Sequence, residues 1–211
     1  MTKPFKSFKF SPYPDGAVTQ YFGENQRLYS QFGLIGHNGI DFVAPHGTPL
    51  FAVEGGKVVD VKDNPDGFGR HIRILSNKKE WTYGHLSYVG VTLGQELLEG
   101  DYIGNMGNTG FVVSGPTPYW QYNPFAGTHL HLGCRLIRKW DGTGQYNYQY
   151  STSDKVEVLN YMNGYKGAVD FALDFKDVAP EGEETEYYLT LMSVLNYFLG
   201  RYRRKQQGSI D

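Results

Sequence analysis

The segment THLHLGCRLI, residues 128–137, decides the fold class of this 211-residue chain. Its apolar side chains recur at every second position, which is the pattern of a β-strand with one buried face. The three on one face are Leu130, Leu132 and Cys134. His129 and His131 share the opposite face, because side chains alternate along a strand. The segment therefore predicts a strand that gives an apolar face, with Cys134 as a small buried hydrophobe, to the core and two adjacent imidazoles to the other side.

Short runs of the same kind recur along the chain. GRHIRIL at 69–75 alternates polar and apolar residues, and EWTYGHLS at 80–87 is its expected partner. The pair Gly55-Gly56, between PLFAV and KVVDV, predicts a two-residue hairpin. The chain has 27 glycines, where an average composition of roughly 7% would give about 15. We therefore expect a mainly β fold, an antiparallel β-sandwich or a barrel-like sheet.

Composition divides the chain into three regions. Residues 1–15 are an N-terminal extension, residues 16–175 are the main domain with a long loop at 111–127, and residues 176–211 are a C-terminal helical extension. One predicted helical face in the last region consists of Tyr188, Leu191, Met192, Leu195, Phe198 and Leu199. The favoured interpretation is that this apolar face packs against the sheet. The alternative is docking to another chain, such as a second copy.

Several function classes are excluded by simple properties. The formal charge of −2 is too small for a strong field that attracts nucleic acid. No apolar run reaches the length of about 18 residues that a membrane span needs, and none at the N-terminus resembles a signal peptide. A single cysteine rules out an internal disulfide and a zinc site built mainly from thiolates.

The six histidines have different sequence contexts. His46 lies in a polar turn and is expected to be exposed, and His71 shares a polar strand face with Arg73 and is expected to be solvated. His37 precedes Asp41 by four residues in GHNGIDF. Imidazole and carboxylate groups are good ligands for Zn²⁺, whose catalytic sites have three protein ligands and an open position.

Together with HLH at 129–131, His37 and Asp41 can supply three metal ligands with one histidine to spare, and His85 in YGHLS is a further candidate. Spacing alone leaves open which histidine of the HLH pair binds the metal. It also leaves open whether these five residues meet at all.

In combination, five motifs resemble the lysostaphin-type zinc metalloendopeptidases, and they occur in the same order. They are GHNGIDFVAPHGTPLFAVEGGKVVDV, GFGRHIRIL, YGHLS, GDYIGNMGNTG and GTHLHLG. The resemblance runs from about residue 16 to residue 137. It implies the duplicated hybrid motif fold, one Zn²⁺ per chain, and hydrolysis of peptide bonds in the stem peptides or cross-bridges of bacterial peptidoglycan.

The resemblance also implies roles for individual residues. His37 and Asp41 match the first two zinc ligands of the family, and His131 matches the third. His129 matches the catalytic histidine beside the metal, and His85 matches its partner. By this comparison, one histidine of the HLH pair holds the metal and the other handles protons.

The long loop at 111–127 departs from the family pattern, which has a short link there. Its aromatic residues Tyr119, Trp120 and Tyr122 are candidates for substrate binding, as part of a groove wall. An aromatic minicore that holds the loop in place is an equally good interpretation.

The expected place of action is the bacterial cell wall, outside the inner membrane. No secretion leader is recognisable, so either a leader has been removed or the protein reaches the wall by another route, such as carriage in a bacteriophage particle or release by a phage lysis system. The alternative function is that of a structural or non-catalytic wall-binding component of a phage particle or of a division or lysis machinery.

Overall fold

The structure is a computed structural model. It describes residues 17–114, 117–118, 124–139, 148–149 and 155–171. The predicted C-terminal helix, the N-terminal extension and the three loop aromatics lie outside the described residues. Within them the fold is mainly β, as predicted, and the helical part consists of α1 (Gln26–Tyr29) and a 3₁₀ turn at Ser30–Phe32. No helix among these residues is long and apolar enough to cross a membrane.

The strands of the described residues, in chain order, are β1 (Ala17–Gln20), β2 (Ile40–Val43), β3 (Pro49–Phe51), β4 (Gly56–Asn64), β5 (Gly69–Ser76), β6 (Lys79–Gly84), β7 (Leu86–Val89), β8 (Glu96–Leu97), β9 (Tyr102–Met106), β10 (Val113–Ser114), β11 (Thr117–Pro118), β12 (Leu130–Lys139), β13 (Tyr148–Gln149) and β14 (Lys155–Val158).

The main sheet has the strand order β1-β2-β12-β6-β5-β4-β8, and β14 joins it through β12 and also pairs with β13. All its pairings are antiparallel. A second sheet has the order β3-β9-β7, and β10 and β11 form a small hairpin. The predicted barrel-like closure is wrong, because β1 and β8 lie at opposite ends of an open sheet. The two-residue β8 offers too few hydrogen-bonding groups to close it.

The predicted partnership of residues 69–75 and 80–87 is confirmed by the β5–β6 ladder, in which Ile74 pairs with Trp81. The predicted hairpin at Gly55-Gly56 is wrong, because β3 pairs with β9 while β4 pairs with β5 and β8. A Cβ at Gly56 would collide with the backbone carbonyl of Leu75. The glycine therefore allows close approach between strands where the chain crosses from one sheet to the other.

One face of the main sheet is apolar and forms the core. As predicted, Leu130, Leu132 and Cys134 are buried there, and so are Ile72, Ile74, Trp81 and Tyr83. The second sheet contributes buried Leu50, Leu86, Ile103 and Met106. The backbone N–H of Val53 donates to the hydroxyl of Tyr83 at 2.8 Å, which ties the segment after β3 to this face.

The other face of the main sheet is polar, and we call it the polar floor. By strand register its members are Asp60, Lys62, His71, Arg73, Glu80, Thr82, Gly84, His131, Gly133 and Arg135. The prediction that His71 is solvated is wrong, because its side chain is only 4% exposed. The alternation of side chains along a strand shows that one face is polar, but it does not show whether water reaches that face. Here charged neighbours pair with each other, as Arg135 and Glu80 do at 3.3 Å.

Candidate metal centre

Three of the predicted site residues meet where β2 lies beside β12. His131 is directly opposite Asp41 in this antiparallel pair, a position that brings side chains on one face into contact. His37 lies in the irregular segment just before β2, and its side chain reaches the same point. All three side chains are buried. The register of the sheet, rather than a helical turn, therefore brings His37 and Asp41 of the HxxxD motif next to His131 of the HLH pair.

Three atoms of these residues form a compact triangle. His37 Nε2 lies 2.9 Å from His131 Nδ1 and 3.1 Å from Asp41 Oδ1, and the third side, from His131 Nδ1 to Asp41 Oδ1, is 3.1 Å. A tetrahedral ion with bonds of about 2.0–2.1 Å separates its ligand atoms by about 3.3–3.4 Å. Within the described residues this is the group whose ligand atoms lie close enough together to hold one ion.

Hydrogen bonding shows that the donor set fits a metal ion. His37 Nδ1 lies 3.1 Å from the carbonyl oxygen of Tyr21. A carbonyl only accepts, so Nδ1 carries the proton and Nε2 of the neutral ring presents a lone pair. A lone pair of His37 therefore faces the carboxylate of Asp41 and the ring nitrogen of His131. These three atoms converge on one point, and two imidazoles with one carboxylate form a ligand set that Zn²⁺ accepts.

The ionisation of the ligands agrees with this role. Burial raises the pKa of Asp41, but the adjacent imidazoles of His131 and His37 outweigh this effect and bring the pKa well below its ordinary value. Burial lowers the pKa of His131 to about 4. Metal ligands must be deprotonated, and at neutral pH this environment keeps the carboxylate charged and the imidazole of His131 neutral.

His129 and His85 lie beside the triangle. His129 Nδ1 donates to the carbonyl of Gly127 at 2.7 Å, and its Nε2 is 3.6 Å from Asp41 Oδ2. His85 Nδ1 donates to the carbonyl of Thr109 at 2.8 Å, and the His85 and His129 rings are 4.5 Å apart. Both histidines therefore have a fixed tautomer, and the lone pair of His129 is directed toward the ligands.

The backbone of His85 is held in an unfavourable conformation. Its φ of 63° lies in the left-handed region, which non-glycine residues rarely adopt. Its backbone N–H donates to the carbonyl of Phe68 at 2.7 Å, and its side chain is anchored to Thr109. Burial, followed by the charges of His129 and His131, lowers the pKa of His85 well below its ordinary value. The surrounding loops therefore fix a neutral imidazole at this position.

The site opens into a groove of about 900 Å³ that runs over the polar floor. Four aromatic residues that no sequence motif indicated line this groove: Tyr29, Phe32, Phe68 and Phe111. The Tyr29 ring is 5.1 Å from the His37 ring, and the Phe68 ring is 4.8 Å from the His131 ring. No sequence signal separates these aromatics from core residues, since they lie in turns, a bend and a helical segment of only a few residues, which are too short to show a period.

The described end of the long loop is anchored next to His129. Asn108 Nδ2 donates to the carbonyls of Pro124 and Ala126, both at 2.9 Å, and Thr128 Oγ1 donates to the carbonyl of Phe125 at 2.7 Å.

The predicted exposure of His46 is confirmed, and this residue lies outside the residues that line the groove.

Gly39 leaves the space that the His131 ring occupies. A Cβ at residue 39 would lie 2.5 Å from the backbone oxygen of Leu132, and 2.6 Å and 2.7 Å from Cε1 and Nε2 of His131. We expect Gly39→Ala to displace this ring and to weaken metal affinity by at least about 10-fold, measured by competition with a chromophoric chelator. Gly133→Ala is the matched control, because a Cβ at residue 133 would lie 3.4 Å from His131 Nε2 and 3.5 Å from the carbonyl oxygen of Asn38, which is ordinary van der Waals contact. Equal affinity in wild type and Gly39→Ala would contradict the fit described here.

The buried histidines also predict how pH affects the metal-free protein. The pKa values of His131, His85 and His71 are lowered, chiefly by burial, and that of His131 falls from 6.5 to about 4. Between pH 6.5 and 4 the unfolded chain binds more protons than the folded chain, so stability falls as pH falls. His131 alone should reduce the free energy of unfolding by about 2 kcal/mol between pH 7 and pH 5.

Chemical denaturation in the presence of a chelator at the two pH values measures this difference, and His131→Ala should show a shallower dependence. Asp41 does not contribute in this window, because its pKa is lowered from 3.8. Stability that stays constant or rises as the pH falls would contradict the burial of neutral imidazoles.

Comparison with known proteins places this site in a family context. The model of peptidase family M23 matches residues 35–146, which include all five site residues and more than half of the chain. Peptidoglycan DD-endopeptidase ShyA of Vibrio cholerae is 38% identical over 86 residues, which are 40% of this chain and 20% of ShyA. Glycyl-glycine endopeptidase ALE-1 of Staphylococcus capitis is 32% identical over 109 residues, which are 50% of this chain and 26% of ALE-1.

The chain thus spans between a fifth and about a quarter of the length of these relatives. Among solved structures, lysostaphin of Staphylococcus simulans superposes with a TM-score of 0.51 over 79% of this chain and 53% of its own, at 20% identity. This likeness supports the predicted fold class. The match of the family model across the whole site confirms the resemblance found in the sequence, and the chain belongs to peptidase family M23.

Proposed function

We propose that this chain is a zinc-dependent endopeptidase that hydrolyses peptide bonds of bacterial peptidoglycan at the cell wall. The observation that carries the proposal is the triangle of His37 Nε2, Asp41 Oδ1 and His131 Nδ1, with sides of 2.9–3.1 Å, beside two further imidazoles. Membership of a peptidase family supports the reaction class. The substrate class is supported by the names of the relatives, one of which is a peptidoglycan DD-endopeptidase.

In this proposal His37, Asp41 and His131 hold one zinc ion. When bound, zinc supplies Lewis acidity, which polarises a peptide carbonyl and makes water a nucleophile near neutral pH. His129 Nε2, whose lone pair is fixed by the bond from Nδ1 to Gly127, accepts a proton from the attacking water and passes it to the leaving amine. Its protonated form stabilises the negative charge that develops on the carbonyl oxygen.

His85 is the partner of His129 in this scheme. Its ring is buried 4.5 Å from that of His129, and its Nδ1 is fixed by Thr109. A neutral imidazole here limits the number of positive charges when His129 is protonated. We infer that His85 orients the reacting groups and assists proton transfer.

The long loop is a second part of the proposal. Its anchored end at Pro124 and Ala126 lies close to His129 in the chain, which supports a role for Tyr119, Trp120 and Tyr122 in a groove wall. We expect deletion of residues 113–125 to change the preference among peptidoglycan bonds without removing the bound zinc. Fragment analysis by mass spectrometry measures that preference, and an unchanged preference would favour the alternative of an aromatic minicore.

The experiment that tests the function is digestion of purified peptidoglycans with several cross-link chemistries. ShyA and ALE-1 are named for different bonds, a DD-peptide and a glycyl-glycine bond, so the panel should contain both. We expect new amino termini at one bond type, identified by mass spectrometry, and no release by chelated protein. Intact sacculi after treatment with folded, zinc-loaded protein would contradict the proposal and favour a non-catalytic wall-binding or structural role.

A further inference from the structure

His71 is a buried imidazole on the polar floor that the proposed reaction does not use. It lies on β5, and the register Ile72–Tyr83 in β5–β6 places it across from Gly84. Gly84 in turn pairs with the ligand His131. His71 therefore lies two strands away from the candidate metal centre, on the same face of the sheet.

Among the described residues, Gly84 and the ring of Phe68 lie between His71 and His131 on this face of the sheet. A Cβ at Gly84 would lie 3.3 Å from both His131 Cβ and Phe68 Cδ1. The Phe68 ring is 4.8 Å from the His131 ring and 5.8 Å from the His71 ring. His71, Phe68 and His131 all line the groove, so a peptide that lies across the strands from the metal centre reaches His71.

Hydrogen bonding fixes what His71 presents to the groove. Its Nδ1 donates to the carbonyl of Gly69 at 2.8 Å, so Nε2 of the neutral ring is an acceptor. The structure gives Nε2 no hydrogen-bond partner within the described residues, and burial lowers the pKa of the ring, which keeps it neutral. The nearby Lys62 ammonium lies 3.0 Å from the carboxylate of Asp60 and is engaged there. An acceptor without a partner that lines a groove is complementary to a donor on the ligand.

We propose that His71 binds substrate, and that its Nε2 accepts a hydrogen bond from an N–H group of the peptide. The two strand spacings between His131 and His71 amount to about 10 Å, which an extended peptide covers in about three residues. The donor therefore belongs to a residue away from the cleaved bond, or to a side chain that extends from a nearer residue. This inference rests on the proposed function, because it takes a peptidoglycan peptide as the ligand.

Kinetics with a purified cross-linked muropeptide test the contact. His71→Phe keeps the ring shape and removes the acceptor, so we expect KM to rise about 10-fold while kcat changes by less than about twofold. His71→Gln places an amide oxygen near the position of Nε2 and should restore KM to within about threefold. His46→Phe, at an exposed histidine outside the groove, is the control and should match wild type.

The source of the N–H group is found by repeating the kinetics with the free amino groups of the muropeptide acetylated. If an amino group is the donor, acetylation raises KM for wild type and removes most of the difference from His71→Phe. If a backbone amide is the donor, the difference persists. An unchanged KM in His71→Phe, or a fall in kcat alone, would overturn the proposal.

A binding measurement separates failure of this inference from failure of the proposed function. Zinc-loaded wild-type protein with ¹⁵N-labelled histidine is titrated with the same muropeptide, and the imidazole signals are assigned with His71→Gln. We expect the Nε2 signal of His71 to shift on binding whether or not the peptide is cleaved. Absence of cleavage with this shift would refute the function and keep the contact, whereas binding without the shift would refute the contact.

Discussion

His131→Ala is expected to abolish both zinc binding and peptidoglycan hydrolysis. The substitution removes Nδ1, which lies 2.9 Å from His37 Nε2 and 3.1 Å from Asp41 Oδ1. Two ligands remain, which is fewer than the three protein ligands of catalytic zinc sites. We expect hydrolysis to fall by at least about 10³-fold and the zinc content after dialysis to fall close to zero. Release of fragments from sacculi and elemental analysis of the same preparation measure the two effects.

Asp41→Ala should have the same effects, because the carboxylate supplies the second of the three atoms. His46→Ala is the matched control, since it removes an exposed imidazole outside the groove. It should retain one zinc ion per chain and full activity. A His131→Ala protein that is folded and still binds zinc with wild-type affinity would refute the assignment of the ligands.

His129→Ala is expected to keep zinc and to lose most of its activity. His129 Nε2 lies 3.6 Å from Asp41 Oδ2, outside the compact triangle of ligand atoms. Removal of a general base or acid costs typically about 10²–10⁴-fold in rate, and we expect kcat to fall within this range. Stoichiometric zinc together with a low kcat would support the division of labour within the HLH pair.

The opposite outcome for His129→Ala is equally informative. If this variant loses zinc while His131→Ala retains it, the roles of the two histidines are reversed. His85→Ala provides a comparison, because its ring contacts that of His129 but none of its atoms belongs to the triangle. We expect it to keep zinc and to lose activity to a smaller extent than His129→Ala.

Much of the site could be predicted from the sequence because it depends on strand alternation. The period of two in residues 128–137 correctly separates Leu130, Leu132 and Cys134 in the core from the two histidines. Spacing did not show that Asp41 lies opposite His131, since this depends on the pairing of β2 with β12 across the length of the domain. The resemblance to a family supplied that link.

Two of the three wrong predictions have a common physical cause. Gly55-Gly56 has the composition of a tight hairpin, but its glycines permit close approach to Leu75 and Leu97. His71 lies on a polar strand face, but that face is the floor of a groove, and the neighbours of His71 there leave the residue only 4% exposed. In both cases local sequence defines what a backbone or a face can do, and the packing of distant segments decides how it is used.

Zinc titration of the metal-free protein with hydrolysis as the readout tests the central claim most directly. The account predicts that hydrolysis of a cross-linked muropeptide rises linearly with added zinc and reaches a plateau at one ion per chain. His131→Ala should stay inactive throughout the titration. Hydrolysis that is equal with and without zinc, or that needs zinc but survives in His131→Ala, would contradict it.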